Sequence, residues 1–193
     1  MPDRPRILAF AGSARRESFN KKLVVLAASA AEEAGALVTR LDLKEYPLPL
    51  YDGDLEAAEG LPQTAIALKK LFIEHEGLMI AAPEYNSSIT PLLKNTIDWV
   101  SRPAEGEAPL LAFRGKWAVL MSASPGRLGG LRGLVHVRSI LGNIGVHVLP
   151  DQVAVPSAAG AFDDDDRLKD DRQRRSIDQL GTRLAEMLIK VAG

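Results

Sequence analysis

The stretch of sequence that decides the fold is residues 7–20, which read ILAFAGSARRESFN. Residues 7–11 form a continuous apolar run, which is typical of a strand buried on both faces of a parallel sheet. A polar turn occupies residues 13–20, and the apolar spacing of the next segment predicts a helix over residues 21–34, ended by Gly35. The chain therefore opens with a strand, a polar turn and a helix, which is the repeating unit of parallel α/β folds.

The same unit recurs along the rest of the chain. Further strands are predicted at residues 37–41, 78–82, 117–121 and 146–149, and further helices at residues 61–76, 90–102 and 131–142. Thr90 is expected to cap its helix. A last helix is predicted to start within residues 163–166 and to continue to Val191, whereas residues 42–60 are predicted to be an irregular loop. Five alternations of strand and helix indicate a parallel sheet with helices on both faces, joined by right-handed crossovers.

Length and composition exclude several classes of protein. The chain has 193 residues, of which 46 % are hydrophobic and 25 % charged, as in an ordinary soluble globular protein. We expect one domain over residues 1–193, because no linker-like segment divides them. The net charge of −1 argues against a nucleic-acid-binding protein, which needs a basic face. No apolar segment has the length of a signal peptide or membrane span, so we expect a cytoplasmic protein without membrane association.

Several kinds of catalytic site are also disfavoured. Cysteine is absent, which excludes disulfides, thiolate catalysis, iron–sulfur ligation and the usual zinc clusters. The three histidines show no metal-ligand spacing, so no metal site is predicted. The chain has no GxSxG motif, which disfavours a serine hydrolase. The four aspartates of residues 163–166 lack the spacing of a calcium loop, and we interpret them as the acidic start of the last helix.

Three loops leave the carboxyl ends of predicted strands, where ligands of open parallel sheets bind. The first loop, residues 12–20, opens a helix and offers the side chains of Ser13, Arg15, Ser18 and Asn20. Helix N-terminal amides, hydroxyls and a guanidinium together are typical of a phosphate site. A plain capped turn would need fewer polar groups. The loop matches neither the Walker motif nor GxGxxG.

The second and third loops suit a flat ring better than an anion. The second loop, residues 83–88, offers an aromatic face, a carboxamide and backbone amides, although a surface proline turn is a simpler interpretation. The third loop, residues 122–130, contains three glycines. They let the backbone approach a ligand closely, or they serve only a flexible turn.

Three motifs in this order closely resemble the NADPH-dependent FMN reductase family. They are GSxRxxSxN at residues 12–20, PEYN at residues 83–86 and LKNxIDW at residues 93–99. The resemblance implies an α/β flavodoxin-like three-layer sandwich, with a five-stranded parallel sheet of order 2-1-3-4-5 and helices on both faces. The sequence departs from many members at Ser87, where they carry glycine, and a tighter turn is expected there.

The resemblance also implies which residues contact FMN. Four residues of the first loop would hold the phosphate, and four of the second would border the isoalloxazine ring, mostly through backbone groups. Three residues of the third loop would approach its pyrimidine side, and Gly129 also belongs to the expected cofactor-binding set. In that order they are Ser13, Arg15, Ser18 and Asn20; Pro83, Glu84, Tyr85 and Asn86; and Ser124, Pro125, Gly126 and Gly129. Because the flavin carries the redox chemistry, no catalytic side chain is assigned.

The implied activity is transfer of hydride from NADPH, or NADH, through FMN to a small acceptor such as a quinone, chromate, an azo compound or a flavin. Two alternatives stay open. One is a flavodoxin-like electron carrier that binds FMN without reacting with NADPH, and the other is a non-redox module for another phosphate ligand. The net charge of −1 counts against the carrier, because such carriers tend to be strongly acidic.

Members of the family are usually dimers or tetramers, and the helix over residues 90–102 offers a reason. It carries one apolar stripe that includes Leu93 and a second that includes Leu92 and Trp99. A helix on a sheet needs only one such stripe. The second therefore predicts a partner, and we expect a homodimer or homotetramer with this helix in the interface. A contact within the chain, for instance with residues 103–112, is the alternative.

Overall fold

The computed structural model describes residues 4–192. The strands, in chain order, are β1 (Arg6–Ala11), β2 (Leu37–Leu41), β3 (Gly77–Ala81), β4 (Glu84–Tyr85), β5 (Ser88–Ile89), β6 (Trp117–Ala123) and β7 (His147–Val155). The helices are α1 (Phe19–Glu33), α2 (Gly53–Glu59), α3 (Gln63–Glu74), α4 (Pro91–Val100), α5 (Leu131–Asn143), α6 (Ala158–Ala161) and α7 (Asp171–Ala192).

Five of the strands form one parallel sheet of order β2-β1-β3-β6-β7, while β4 and β5 pair as a separate antiparallel hairpin. With the hairpin left out, this is the predicted order 2-1-3-4-5, so the predicted fold class is confirmed. In the register of the sheet, Ala9 of β1 lies opposite Arg40 of β2 and Met79 of β3. The carboxyl ends of β1, β3 and β6 are neighbours, and the three loops start from them.

Both faces of the sheet are covered, which explains the unbroken apolar runs. Leu8 and Phe10 of β1 belong to the core beneath α3, α4 and α5. Ile7 and Ala9 belong to the core beneath α1 and α7. Successive side chains of a strand point to opposite faces, so a strand buried on both sides needs an apolar residue at every position.

Residues 42–60 contain more regular structure than predicted. A short 3-10 turn (Leu43–Glu45) and the helix α2 both lie within them. Each begins at an aspartate: Asp42 accepts a hydrogen bond from the Lys44 amide at 3.0 Å, and Asp52 accepts one from the Asp54 amide at 2.8 Å. The prediction of an irregular loop was wrong here, because capping by single aspartates forms a short helix without apolar periodicity.

The C-terminal elements also differ from the prediction. The last helix, α7, begins at Asp171 rather than within residues 163–166, because Asp170 caps it through a 2.8 Å bond from the Gln173 amide. Asp163 instead closes a turn by accepting bonds from the amides of Asp165 and Arg167. The strand predicted at residues 146–149 continues as β7 to Val155. An irregularity opposite Ala118 and Leu120 of β6 lets it pass the proline at position 150.

The second apolar stripe of α4 is covered within the chain. Trp99 is fully buried, its indole nitrogen donates to the Pro49 carbonyl at 2.8 Å, and its ring meets the Tyr51 ring edge-on at 5.0 Å. Asn95 of the same helix accepts a bond from the Tyr51 amide at 2.8 Å. The inference that this stripe needs a partner subunit was therefore wrong. These contacts come from residues 49–51 rather than from residues 103–112.

No helix within residues 4–192 combines the length and apolar character that crossing a membrane requires.

Candidate functional site

Hydrogen bonds join the three loops into one surface at the carboxyl edge of the sheet. The first loop is tied to β3 by the Gly12 amide, which donates to the Ala81 carbonyl at 2.9 Å. The second loop is tied to β6 by the Ala82 amide, which donates to the Met121 carbonyl at 2.8 Å. Three segments that are distant in the sequence therefore end side by side.

The first loop holds unused hydrogen-bond donors around the start of α1. Ser18 occupies the N-cap position, but its buried hydroxyl makes no capping bond. Ser13 is also buried, and its hydroxyl accepts only from the Arg15 amide at 3.3 Å. The Arg15 side chain is exposed and has no partner among residues 4–192. Hydroxyls, a free guanidinium and a helix N-terminus that converge in this way suit a dianionic phosphate.

The backbone of the first loop contributes donors as well. The amides of Ala14, Arg16 and Glu17 have no hydrogen-bond partner in the described part of the chain. They precede a helix of 15 residues, whose aligned peptide dipoles favour an anion at this end. The phosphate group of FMN fits this donor set.

The first loop can lie this close to α4 only because residue 12 is a glycine. A Cβ atom on Gly12 would lie 2.9 Å from the Cβ atom of Leu93. Thr90 reinforces the approach, because its hydroxyl donates to the Gly12 carbonyl at 2.7 Å while it accepts from the Leu93 amide at 3.2 Å. Thr90 thus caps α4, as predicted, and also joins the start of α4 to the first loop.

Asn20, the fourth expected phosphate residue, also joins two loops. Its side chain is buried and bonds the backbone of Ala123 twice: the amide nitrogen donates to the carbonyl at 2.8 Å, and the amide oxygen accepts from the N–H at 3.0 Å. The amide nitrogen has a second N–H that these bonds do not use. Asn20 therefore fixes the third loop against the first.

The second loop is a tight hairpin whose tip faces solvent. Asn86 and Ser87 have φ angles of 48° and 67°, which lie in the left-handed region. A glycine at position 87 would avoid the strain that serine has there. Tyr85 is 49 % exposed beside this tip, and Pro83 is buried behind it. The hairpin therefore presents an aromatic side chain and a short polar edge, which can border a planar ring.

Glu84 anchors the hairpin to α5. Its side chain is 7 % exposed and accepts bonds from the Arg132 guanidinium at 2.6 and 2.9 Å and from the Gly133 amide at 3.0 Å. Burial alone would raise the pKa of Glu84. The bonds from Gly133 and Arg132 outweigh burial, so this pKa lies below its usual value. Glu84 is therefore a bound carboxylate that positions the loop.

The third loop presents residues 125–128 to solvent, whereas Ser124 is half-buried and Gly129 is buried. Ser124 accepts a bond from the Gly126 amide at 3.3 Å. Gly129 has φ +62°, and a Cβ atom there would lie 2.7 Å from the Val155 backbone. Gly129 is thus needed for packing against β7, and its closest neighbours are protein atoms.

Sequence reasoning missed three contributors to the site. Arg132 and Gly133 hold Glu84, and Ser122 has a fully buried hydroxyl without a hydrogen-bond partner among residues 4–192. The only signal for Ser122 was a hydroxyl at the end of an apolar strand. No sequence signal linked Glu84 to α5, because the bond spans 48 residues.

Comparisons with known proteins agree with the geometry of these loops. A sequence profile of the family described as NADPH-dependent FMN reductase matches residues 5–160. An NAD(P)H-dependent FMN reductase of Pseudomonas aeruginosa is 36 % identical over 184 residues, covering 93 % of this chain and 92 % of that protein. A quinone reductase of Escherichia coli is 35 % identical over 144 residues, covering 73 % of this chain and 71 % of that protein.

The fold has a close counterpart among solved structures. A flavoenzyme NAD(P)H:(acceptor) oxidoreductase of Paracoccus denitrificans matches with a TM-score of 0.81 over 96 % of this chain and 98 % of its own, at 24 % identity. This likeness shows the shared fold. The family profile spans most of the sequence, and the two relatives exceed 30 % identity over more than two thirds of it. The chain therefore belongs to the NADPH-dependent FMN reductase family.

Proposed function

We propose that this protein is an FMN-dependent oxidoreductase that takes hydride from NADPH and reduces a small acceptor. The observation that carries the proposal is the first loop, where Arg15, two buried hydroxyls and the loop amides stand ready for a phosphate. Family membership supports the assignment of that phosphate to FMN.

The contacts refine the roles of the expected site residues. Ser13, Arg15 and Ser18 would hold the phosphate together with the amides of residues 14, 16 and 17. Asn20 would act by fixing the loops. In the second loop, Pro83, Tyr85 and Asn86 would border the ring, while Glu84 would hold the hairpin in place.

The third loop would close the far side of the ring slot. Ser124, Pro125 and Gly126 would approach the ring, whereas Gly129 would support them from behind. These different roles agree with the solvent exposure of the residues, because Pro125 and Gly126 face solvent and Gly129 is buried.

Bound FMN would supply the redox chemistry, which is acceptance of hydride from a nicotinamide and its delivery to an acceptor. The protein's own task is to bind and orient. Glu84 is the one carboxylate among the expected site residues, and its oxygens already accept bonds from Arg132 and Gly133. It is therefore not available as a proton donor.

We propose a quinone as the acceptor class, because curated relatives that include the Escherichia coli protein are named quinone reductases. Chromate, azo compounds and free flavin remain candidates, since a reduced flavin in an open cleft reacts with many acceptors. NADPH is preferred over NADH only on the family description. A location in the cytoplasm stays a prediction of the sequence.

The decisive experiment is an anaerobic visible spectrum of the FMN-loaded protein before and after addition of NADPH. Loss of the oxidised flavin band without a second protein is the expected result. A band that persists would instead identify an electron carrier. No flavin binding at all would overturn the assignment of the loops.

A matched pair of variants tests the phosphate site itself. Arg15→Ala removes a charge-assisted contact and should weaken FMN binding roughly ten-fold to a hundred-fold. Arg16→Ala removes the neighbouring exposed charge and should change the affinity less than about two-fold. Equal affinities in the two variants would contradict the assignment of Arg15.

A homodimer or homotetramer remains a proposal, although its original basis in Trp99 is lost. Its support is the family resemblance and the 80 % exposure of Leu50, on the segment that covers α4. Sedimentation of the wild type and of Leu50→Asp tests it: the variant should be a folded monomer. An unchanged oligomer in Leu50→Asp would exclude this segment from the interface.

A further inference from the structure

A cavity lies at the opposite edge of the sheet from the three loops. Its volume is about 630 Å³, within the range of small-molecule sites. It is lined by residues at the starts of β1, β2 and β6 and by the last turns of α7. A strand of five residues, such as β3, separates the two edges by about 17 Å. The cavity is therefore independent of the flavin site.

Cationic side chains outnumber anionic ones in this cavity. Among residues 4–192, the charged side chains that line it are the cations of Arg4, Arg6, Arg114 and Lys116 and the carboxylate of Glu76. Arg6 and Glu76 form an ion pair. Arg4 donates only to backbone carbonyls, at 2.8 and 2.9 Å, and these leave its charge uncompensated. Four cations and one anion leave an excess of three positive charges.

Two of the cations are free to hold a ligand. Lys116 is 8 % exposed, and its ammonium group donates to the His75 carbonyl. An ammonium has three donors, so two remain. The Arg114 guanidinium has no partner among residues 4–192. Burial lowers the pKa of Lys116, and the attraction of Glu76 offsets this cost of burying the ammonium group only in part. A bound anion would remove that cost.

The rest of the wall is apolar and includes an aromatic ring. Leu37, Trp117, Leu188 and Val191 line the cavity. The Trp117 ring packs on the His147 ring at 4.9 Å, which fixes its orientation. Leu37 and Val191 are 46 % and 55 % exposed, so apolar surface there is still open to a ligand.

The walls are already tied together by backbone bonds. The Leu37 amide donates to the Pro5 carbonyl at 2.8 Å, and the Trp117 amide donates to the Glu76 carbonyl at 3.2 Å. The Gly115 amide donates to the Gly145 carbonyl at 2.8 Å. Binding therefore requires little ordering of the chain, which favours affinity.

The C-terminus of α7 opposes an anion here, but only weakly. A helix C-terminus carries the equivalent of about half a negative charge. The excess of three cationic side chains is several times larger. The net charge of the groups that line the cavity is therefore positive.

We propose that this cavity is a binding site for an aromatic carboxylate. The carboxylate would lie between Arg114 and Lys116, and the ring would lie against Trp117 and Leu188. One carboxylate with two oxygens matches the two free cations, because Arg4 and Arg6 already have partners.

The experiment is a calorimetric titration of the FMN-loaded protein with benzoate, together with Arg114→Ala and Arg172→Ala. Both arginines are exposed, but Arg172 lies in the first turn of α7, outside the cavity. We expect saturable binding to the wild type and to Arg172→Ala, and an affinity about ten-fold lower or more in Arg114→Ala. Lys116→Met, which keeps the aliphatic stem, should weaken binding as well.

Two further measurements separate this site from the flavin. Benzamide, which has the ring without the charge, should bind at least ten-fold more weakly than benzoate. The visible flavin spectrum should not change as benzoate saturates the protein. Equal binding to wild type and Arg114→Ala, equal binding of benzamide, a flavin spectrum that titrates with benzoate, or no saturable heat at millimolar benzoate would each overturn the proposal.

Discussion

The two edges of the sheet both present positive potential, but backbone amides supply much of it at one edge and side chains supply it at the other. At the carboxyl edge, backbone amides and hydroxyls that lack partners within residues 4–192 surround the N-terminus of α1, and Arg15 is the cation that we propose for the phosphate. At the amino edge, four cationic side chains surround a cavity beside the C-terminus of α7.

The opposite directions of strands and helices in parallel α/β units explain the difference. Each strand runs into a helix N-terminus at the carboxyl edge, so amides are available there. Helix C-termini and their carbonyls face the amino edge, so an anion site there must be made from lysine and arginine side chains. Substitution of a single side chain should therefore affect anion binding more at the amino edge, where side chains supply the positive charge, than at the carboxyl edge, where backbone amides contribute.

The largest expected effect on stability is at the contact between α4 and residues 49–51, near the carboxyl edge. Trp99→Asp places a carboxylate where Trp99 is fully buried against Tyr51. We expect a loss of more than about 4 kcal/mol, sufficient to unfold the protein. Urea unfolding measures it. Leu50→Asp, on the exposed side of the same segment, should retain the fold. A folded, monomeric Trp99→Asp would restore the idea that this side chain contacts a partner subunit.

Removing the two hydrogen bonds by which Asn20 connects the first and third loops should have the next largest effect on stability. Asn20→Ala leaves both backbone groups of Ala123 without their side-chain partner. We expect a loss of about 2 to 4 kcal/mol in unfolding free energy and a weaker affinity for FMN. Asn20→Asp keeps the acceptor and should be intermediate. If Asn20→Ala kept both stability and FMN affinity, the carboxyl edge would not depend on these two hydrogen bonds.

Glu84→Gln tests the carboxylate that anchors the hairpin. The folded protein holds the pKa of Glu84 below its usual value, so the ionised group stabilises the fold above the unfolded pKa of about 4.3. That stability is lost as pH falls through the lower, folded pKa. At pH 7 we expect the variant to be about 1 to 2 kcal/mol less stable. The difference from wild type should shrink below about pH 4. A difference independent of pH would show that the charge is not responsible.

Lys116→Met tests the amino edge, where the pH dependence has the opposite direction. Burial lowers the pKa of Lys116, so the unfolded chain binds this proton more readily than the folded one. Wild-type stability relative to Lys116→Met should therefore rise with pH, from the folded pKa up to the unfolded value of about 10.4. At pH 7 the two should differ by less than about 1 kcal/mol. A difference that falls with increasing pH would contradict the burial of the ammonium group.

The smallest expected effect is at the hairpin tip. Ser87 has φ +67°, a conformation that glycine adopts without strain. Ser87→Gly should raise the unfolding free energy by about 0.5 kcal/mol. Ser88→Gly is the control, because residue 88 lies in the extended strand β5, where glycine should destabilise. Chemical denaturation of both variants tests this, and a loss in Ser87→Gly would contradict the strain.

Much of the carboxyl edge could be predicted because its signals are local. The apolar run at residues 7–11 specifies a strand buried on both faces, and the polar groups of residues 12–20 follow it directly. Thr90 and the proline after it mark a helix start by their own chemistry. The order of such units along the chain then restricts the sheet to few topologies.

What the sequence does not show depends on contacts between distant segments. It shows two apolar stripes on α4, but it does not show that residues 49–51 contact the second. The bonds of Asn20 to Ala123, 103 residues away, are also invisible in the sequence. The same holds for the bond between Glu84 and Arg132 on α5. A polar side chain has few hydrogen-bonding groups, and the fold decides which of them remain free.

The sequence by itself determined the alternation of strands and helices, the parallel sheet and the loops that carry the flavin motifs, because these depend on neighbouring residues. The tertiary structure alone decided which polar groups of those loops remain unpaired. It also decided that Arg4, Arg114, Lys116 and Trp117 share one cavity. The physical reason is that burial and pairing depend on where distant segments meet, and the order of residues within any one segment does not specify that.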